Sequence, residues 1–159
     1  MAPPTSERAS PRGLLRWVLR LPIWLYRLRL GRLLGDRFVM LSHLGRKSGR
    51  IHQTVLEVVA KPTPRRYIVA SGWGRQSDWY RNILHTPRVL LDTAHGRHEA
   101  LAHQLDEAEA AEALHEYARR YPQAFRQLSR MMVGESVSAD AEGCRQLAGQ
   151  IPLVAFELL

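Results

Sequence analysis

At 159 residues with a single cysteine, Cys144, the chain has room for one well-formed core and no internal disulfide framework. Its 23 Lys and Arg against 15 Asp and Glu leave a formal charge of +8, which points towards a polyanion: nucleic acid, anionic lipid or a multiply charged cofactor. The longest early apolar run, Leu21 to Tyr26, is far below the roughly 20 residues of a bilayer span, and no secretory leader is evident, so the expected location is the cytoplasm.

In chain order, residues 1–11 are rich in Pro, Ser and Ala and read as a disordered tail. Residues 12–35 form a separate amphipathic helical segment. Arg12, Arg16, Arg20 and Arg27 share one side of it, and Leu14, Trp17, Val18, Leu21, Leu25 and Leu28 the other, with Pro22 kinking or dividing the helix. Such a segment either lies on an anionic membrane surface at the inner face of the cell membrane or packs on the protein's own sheet. Residues 36–159 are expected to be one cofactor-binding domain. Its strand-like runs are Phe38 to His43, Gln53 to Ala60 and Arg66 to Ser71, followed by the turn Gly72-Trp73-Gly74. Ser77 to Leu84 reads as a short helix with Ser77 available as its cap, and Arg88 to Asp92 with His98 to Leu105 as a hairpin turning at Gly96. Asp106 with Glu109 signals the start of a helix running to Arg120, Pro122 begins another reaching Met132, and Val133 to Gly143 reads as a loop. A short helix then precedes a last strand, Leu153 to Leu158. Consecutive strands followed by helices predict an α+β fold with a mostly antiparallel sheet or barrel.

Two constellations carry candidate chemistry. Gly45-Arg46-Lys47-Ser48-Gly49-Arg50 lies between two predicted strands; its glycines permit a tight turn with exposed amides, and its cations and hydroxyl suit an anion. The glycine–lysine spacing is not that of a Walker loop, and a solvated basic hairpin turn has the same pattern. Ser71-Gly72-Trp73-Gly74 followed by Ser77-Asp78-Trp79-Tyr80 and Asn82 brings backbone donors and flat aromatic surface together, which suits a planar heterocycle; Trp79 and above all Tyr80 also read as core.

The stretches LSHLGRKSGR, VASGWG, SDWYRNILHTP and IPLVAFEL, in this order and spacing, resemble the deazaflavin-dependent nitroreductase family, the F420-binding branch of the split-barrel flavin reductases. The resemblance spans roughly Leu30 to the C-terminus and implies a split β-barrel with flanking helices. It implies that Arg46, Lys47 and Ser48, with Gly49, Arg50 and Thr54 beside them, hold the phosphodiester and acidic tail of coenzyme F420. Val69, Ala70, Ser71 and Gly72 would then run along the deazaflavin edge, with Trp79 and Asn82 shaping the pocket. Tyr121 would line the substrate side, and Tyr121, Ser71 or solvent could protonate the product. Departures from the family pattern at Val55, Glu57 and Ala124 bear on the acceptor more than on the cofactor.

The activity so implied is hydride transfer from reduced F420 to a small hydrophobic acceptor such as a quinone, nitro compound or conjugated enone. A non-catalytic carrier of cofactor or lipid, and an FMN-dependent reductase, are the competing readings. No nucleic-acid partner is expected, because aromatic and basic residues do not interleave on one sheet face. The scattered histidines, without carboxylates at ligand spacing, predict no metal site.

Overall fold

The computed structural model describes residues 35–72 and 74–159. The expected tail and amphipathic helix, residues 1–34, lie outside the described residues, as does Trp73. The described residues form six strands: β1 (Phe38–Leu44), β2 (Ile51–Thr63), β3 (Arg66–Ala70), β4 (Arg88–Thr93), β5 (Gly96–Gln104) and β6 (Leu153–Leu158). They close into a barrel in the order β1-β2-β3-β6-β5-β4, every neighbouring pair antiparallel. Among the described residues four α-helices accompany them: α1 (Asp78–His85), α2 (Glu107–Arg120), α3 (Pro122–Val133) and α4 (Ala141–Ala148). This is the expected split-barrel α+β architecture, and element boundaries differ from the sequence reading by a few residues.

Strand alternation sorts the apolar residues into two cores. Val39, Leu41, Leu56, Val58, Tyr67, Val69, Val154 and Phe156 fill the barrel interior. Residues of opposite parity, such as Ile68, Leu153 and Ala155, face outward against α2, α3 and α4, whose Leu114, Tyr117, Phe125 and Leu147 complete the second core. Strand β2 serves both. It is longer than its apolar run predicts, and register shifts between Val58 and Ala60 and between Ala60 and Thr63 turn Val59 and Ala60 towards the helices.

Helix α1 plugs one end of the barrel with Trp79, Tyr80 and Ile83. The expected Ser77 cap is not made. The Ser77 hydroxyl instead lies 2.9 Å from that of Ser71, and both side chains are buried. Asp106 does cap α2, accepting the Glu109 N–H at 2.9 Å. Pro122 occupies the first turn of α3, where its missing N–H costs nothing, and Gly134 ends that helix in the left-handed region (φ 84°). The segment read as a loop is shorter than expected, because Asp140 accepts the Gly143 N–H and starts α4 at Ala141.

Candidate cofactor site

The β1–β2 hairpin and α1 meet at the plugged end of the barrel and line an open cavity of about 840 Å³. Its walls include Gly45, Arg46, Lys47, Ser48, Thr54, Trp79 and Asn82, six of the seven being residues that the sequence reading assigned to cofactor binding. His43, His52, Gln76, Ser77 and Asp78 join them.

The loop is held from within. The Gly45 N–H donates to the Arg50 carbonyl (2.8 Å), the Gly49 N–H to the Gly45 carbonyl (2.9 Å) and the Arg50 N–H to the Ser48 hydroxyl (3.2 Å). Gly49 adopts φ 67°, which a side chain would disfavour. Of the amides expected to form an open nest, those of Lys47 and Ser48 remain without a partner among the described residues. Arg50 itself is exposed and lies off the cavity wall.

Asn82 ties this loop to the barrel. Its Oδ1 accepts the Arg46 backbone N–H at 3.1 Å and the Arg46 guanidinium at 2.8 Å. Its Nδ2 donates to His43 Nδ1 at 3.0 Å. Two donors on one side fix which end of the amide is oxygen, so His43 Nδ1 must be an acceptor and the ring proton sits on Nε2. Burial, reinforced by nearby His52 and only partly offset by Asp78, pushes His43 down to about 4, so the ring is neutral across the physiological range. The Arg46 guanidinium also meets Asp78 Oδ1 at 3.2 Å. Ser48 Oγ lies 3.3 Å from His52 Nε2, and the His43 and His52 rings stack at 5.8 Å.

Other expected site residues sit elsewhere. Val69 faces the barrel interior and Ala70 packs against the helical core. Ser71 is fully buried; its N–H donates to the Pro152 carbonyl and its hydroxyl to the Gly74 carbonyl at 2.6 Å. Gly72 lies against Met131, whose Cε an added Cβ would meet at 2.8 Å. Tyr80 is core, as its alternative reading had it, with its hydroxyl on Gln104.

Tyr121 lines a separate cavity of about 340 Å³ with Arg37 and Val58, its ring 4.7 Å beneath the Arg37 guanidinium. Near it, Glu57 accepts from the Tyr117 hydroxyl at 3.1 Å and from Arg37 at 3.4 Å, and burial together with that carboxylate pushes the Tyr117 phenol well up. The described residues hold no group of three or more metal-ligating side chains, and none of their helices is long and apolar enough to cross a membrane.

A closed antiparallel barrel with flanking helices and a cationic cavity at one end defines a split-barrel protein. Solved structures share the fold. An F420-H2 dependent reductase matches with TM-score 0.55 and 17% identity, over 77% of this chain and 96% of that one. The heme storage protein HutZ from Vibrio cholerae matches with TM-score 0.53 and 13% identity, over 84% and 89%. A putative pyridoxamine 5'-phosphate oxidase from Listeria innocua matches with TM-score 0.51 and 11% identity, over 84% and 93%. No curated protein sequence matches. The family model of the F420H(2)-dependent quinone reductases covers residues 18–132, and the chain belongs to that family. It is therefore an oxidoreductase whose cofactor is coenzyme F420.

The cavity residues fit that cofactor. Its phosphate and glutamate tail needs cations and hydrogen-bond donors, which the Lys47 ammonium, the free Lys47 and Ser48 amides and Arg46 supply; its ring system needs flat apolar surface, which Trp79 supplies. At about 840 Å³ the cavity is within the range of sites that enclose small-molecule ligands.

Proposed function

We propose that this chain transfers a hydride from reduced F420 to a small, hydrophobic, conjugated acceptor, a quinone in the first instance, with the cofactor held in the cavity between the Gly45–Arg50 loop and α1. When bound, the reduced deazaflavin supplies the hydride from its ring carbon. The chain's own residues bind and orient. Lys47 and Arg46 attract the acidic tail, Ser48 and the adjoining amides fix its phosphate, and Trp79 and Thr54 form the floor on which the ring lies. The barrel interior behind them is packed with Leu41, Leu56 and Val58, so water is excluded from that side. Hydride plus one proton converts quinone to hydroquinone, and the cavity is open to solvent, which can supply that proton. Peripheral binding to an anionic membrane surface through residues 12–34 would bring the enzyme to a lipid-dissolved acceptor.

The observation that carries this reading is the convergence of a cationic loop and Trp79 on one cavity. Titrating the protein with F420, and separately with FMN, while following tryptophan fluorescence tests the binding half. Quenching by F420 at concentrations where FMN has no effect is the expected result. Replacing Arg46 and Lys47 together by Gln should weaken F420 binding at low salt, and unchanged affinity would overturn the assignment of the site. Return of the oxidised deazaflavin's visible absorbance on adding a quinone distinguishes an enzyme from a carrier.

A further inference from the structure

His43 is an anomaly of the barrel. Strand parity puts it in series with Val39 and Leu41, both facing the apolar interior, yet it is a polar residue and only 5% exposed. It sits at the end of β1 where the interior opens into the cavity, and it is one of the residues lining that cavity. Its Nδ1 is consumed by Asn82, and the Asn82 amide cannot turn over without setting its NH2 against the two Arg46 donors. The proton is thereby confined to Nε2, which has no hydrogen-bond partner among the described residues. His43 Nε2 is not sealed from solvent, so its N–H opens into the cavity that the residue lines, where a ligand oxygen can accept it.

We propose that His43 is a further binding residue of this site, its Nε2–H donating a hydrogen bond to an oxygen of the bound cofactor. The inference rests on the reading of the cavity as the F420 site. Asn82 is then a positioning residue: it sets the His43 tautomer and, through the same amide, holds Arg46 at the rim. One side chain thus couples the charge-reading loop to a neutral donor deeper in the barrel mouth. A neutral donor suits the place, because it directs a ligand oxygen without adding to the cationic charge that Lys47 already provides.

The test uses the full chain and F420 itself. In the apoprotein, long-range nitrogen–proton spectra should show His43 as the Nε2–H tautomer. Adding F420 should move that proton downfield and slow its exchange with water. His43→Phe should weaken F420 binding about tenfold, the worth of one ordinary hydrogen bond, and His43→Gln, which keeps an N–H near the same place, should stay within about threefold of the parent. If the Nε2–H resonance ignores F420, or if Phe and Gln variants lose affinity equally, the proposal is overturned; the wild-type spectrum decides even if a variant fails to fold. If His43→Phe binds normally while the Arg46/Lys47 double variant does not, His43 is excluded and the site stands. If neither variant changes affinity, the site itself is misassigned.

Discussion

Asp78 places a negative charge at the rim of a cavity read here as an anion receptor, which makes Asp78→Asn an informative substitution. The carboxylate bridges both terminal nitrogens of Arg46 at 3.2 Å, with the aspartate side chain 84% and the arginine 20% exposed. So exposed a pair contributes only about 0.2–1 kcal/mol to folding. A phosphate approaching Arg46 must displace that carboxylate or lie beside it, and two negative charges roughly 5 Å apart repel by about 0.8 kcal/mol at the dielectric constant of water. Removing the charge should therefore tighten F420 binding about threefold to fivefold at low ionic strength. The gain should fade as salt is raised, because the screening length is about 10 Å near 0.1 M and about 3 Å near 1 M. Stability should move the other way. Asp78 is the first residue of α1, where a negative charge favours the helix dipole, so its loss should cost about 0.3–1 kcal/mol. Fluorescence titrations at two salt concentrations, with thermal melts of the same samples, measure both. Unchanged or weaker affinity at low salt would refute the reasoning, since Asp78 would then be orienting Arg46 and not competing for it.

Three further outcomes are expected. Asn82→Ala removes three hydrogen bonds and strands the Arg46 N–H and His43 Nδ1, which should lower stability by about 2–3 kcal/mol in urea melts with F420 binding weakened as well. His43 is held low, at about 4, so its neutral form stabilises the fold above its ordinary value of 6.5; this contribution, of up to about 3 kcal/mol, drains away as pH falls from 6.5 to 4. A His43→Gln protein should lack that component, and parallel stability–pH curves for the two proteins would contradict it. Gly143→Ala should destabilise, by about 1–3 kcal/mol, although glycine to alanine in a helix ordinarily stabilises, because the new Cβ would collide with the Ser138 carbonyl oxygen; a rise in melting temperature would show that the 134–140 loop yields instead.

Features that depend on neighbouring residues were readable from the chain. The β-branched run of β2, the Asp106 start of α2 and the two glycines around Arg46, Lys47 and Ser48 are local signals, and each corresponds to an element or turn in the structure. Contributions that depend on distant pairing were not. His52 enters the site because it lies directly opposite His43 in the β1–β2 register, and Asp78 because α1 folds back on the hairpin. His43 left a trace, since the parity of Val39 and Leu41 puts a polar residue at an interior position; that irregularity was the available clue. Ser71 is a hydroxyl beside a glycine turn, a pattern that suits a site residue, yet it is spent on holding the turn, with Gly74 and Ser77 as partners. Tyr121 is separated from the cationic cavity because the α2–α3 junction lies against Arg37, whereas that cavity forms between the β1–β2 loop and α1.

Strands β3 and β6 are a wall common to two rooms. Tyr67, Val69, Val154 and Phe156 face the barrel, while Ile68, Leu153 and Ala155 on the same backbone face the helices. Neither compartment can lose its wall alone, so barrel and helical layer should melt in a single transition, and the amide hydrogens of β3 and β6 should be the last to exchange. A cavity built on this barrel inherits the cohesion of the whole domain, including helices that never touch it.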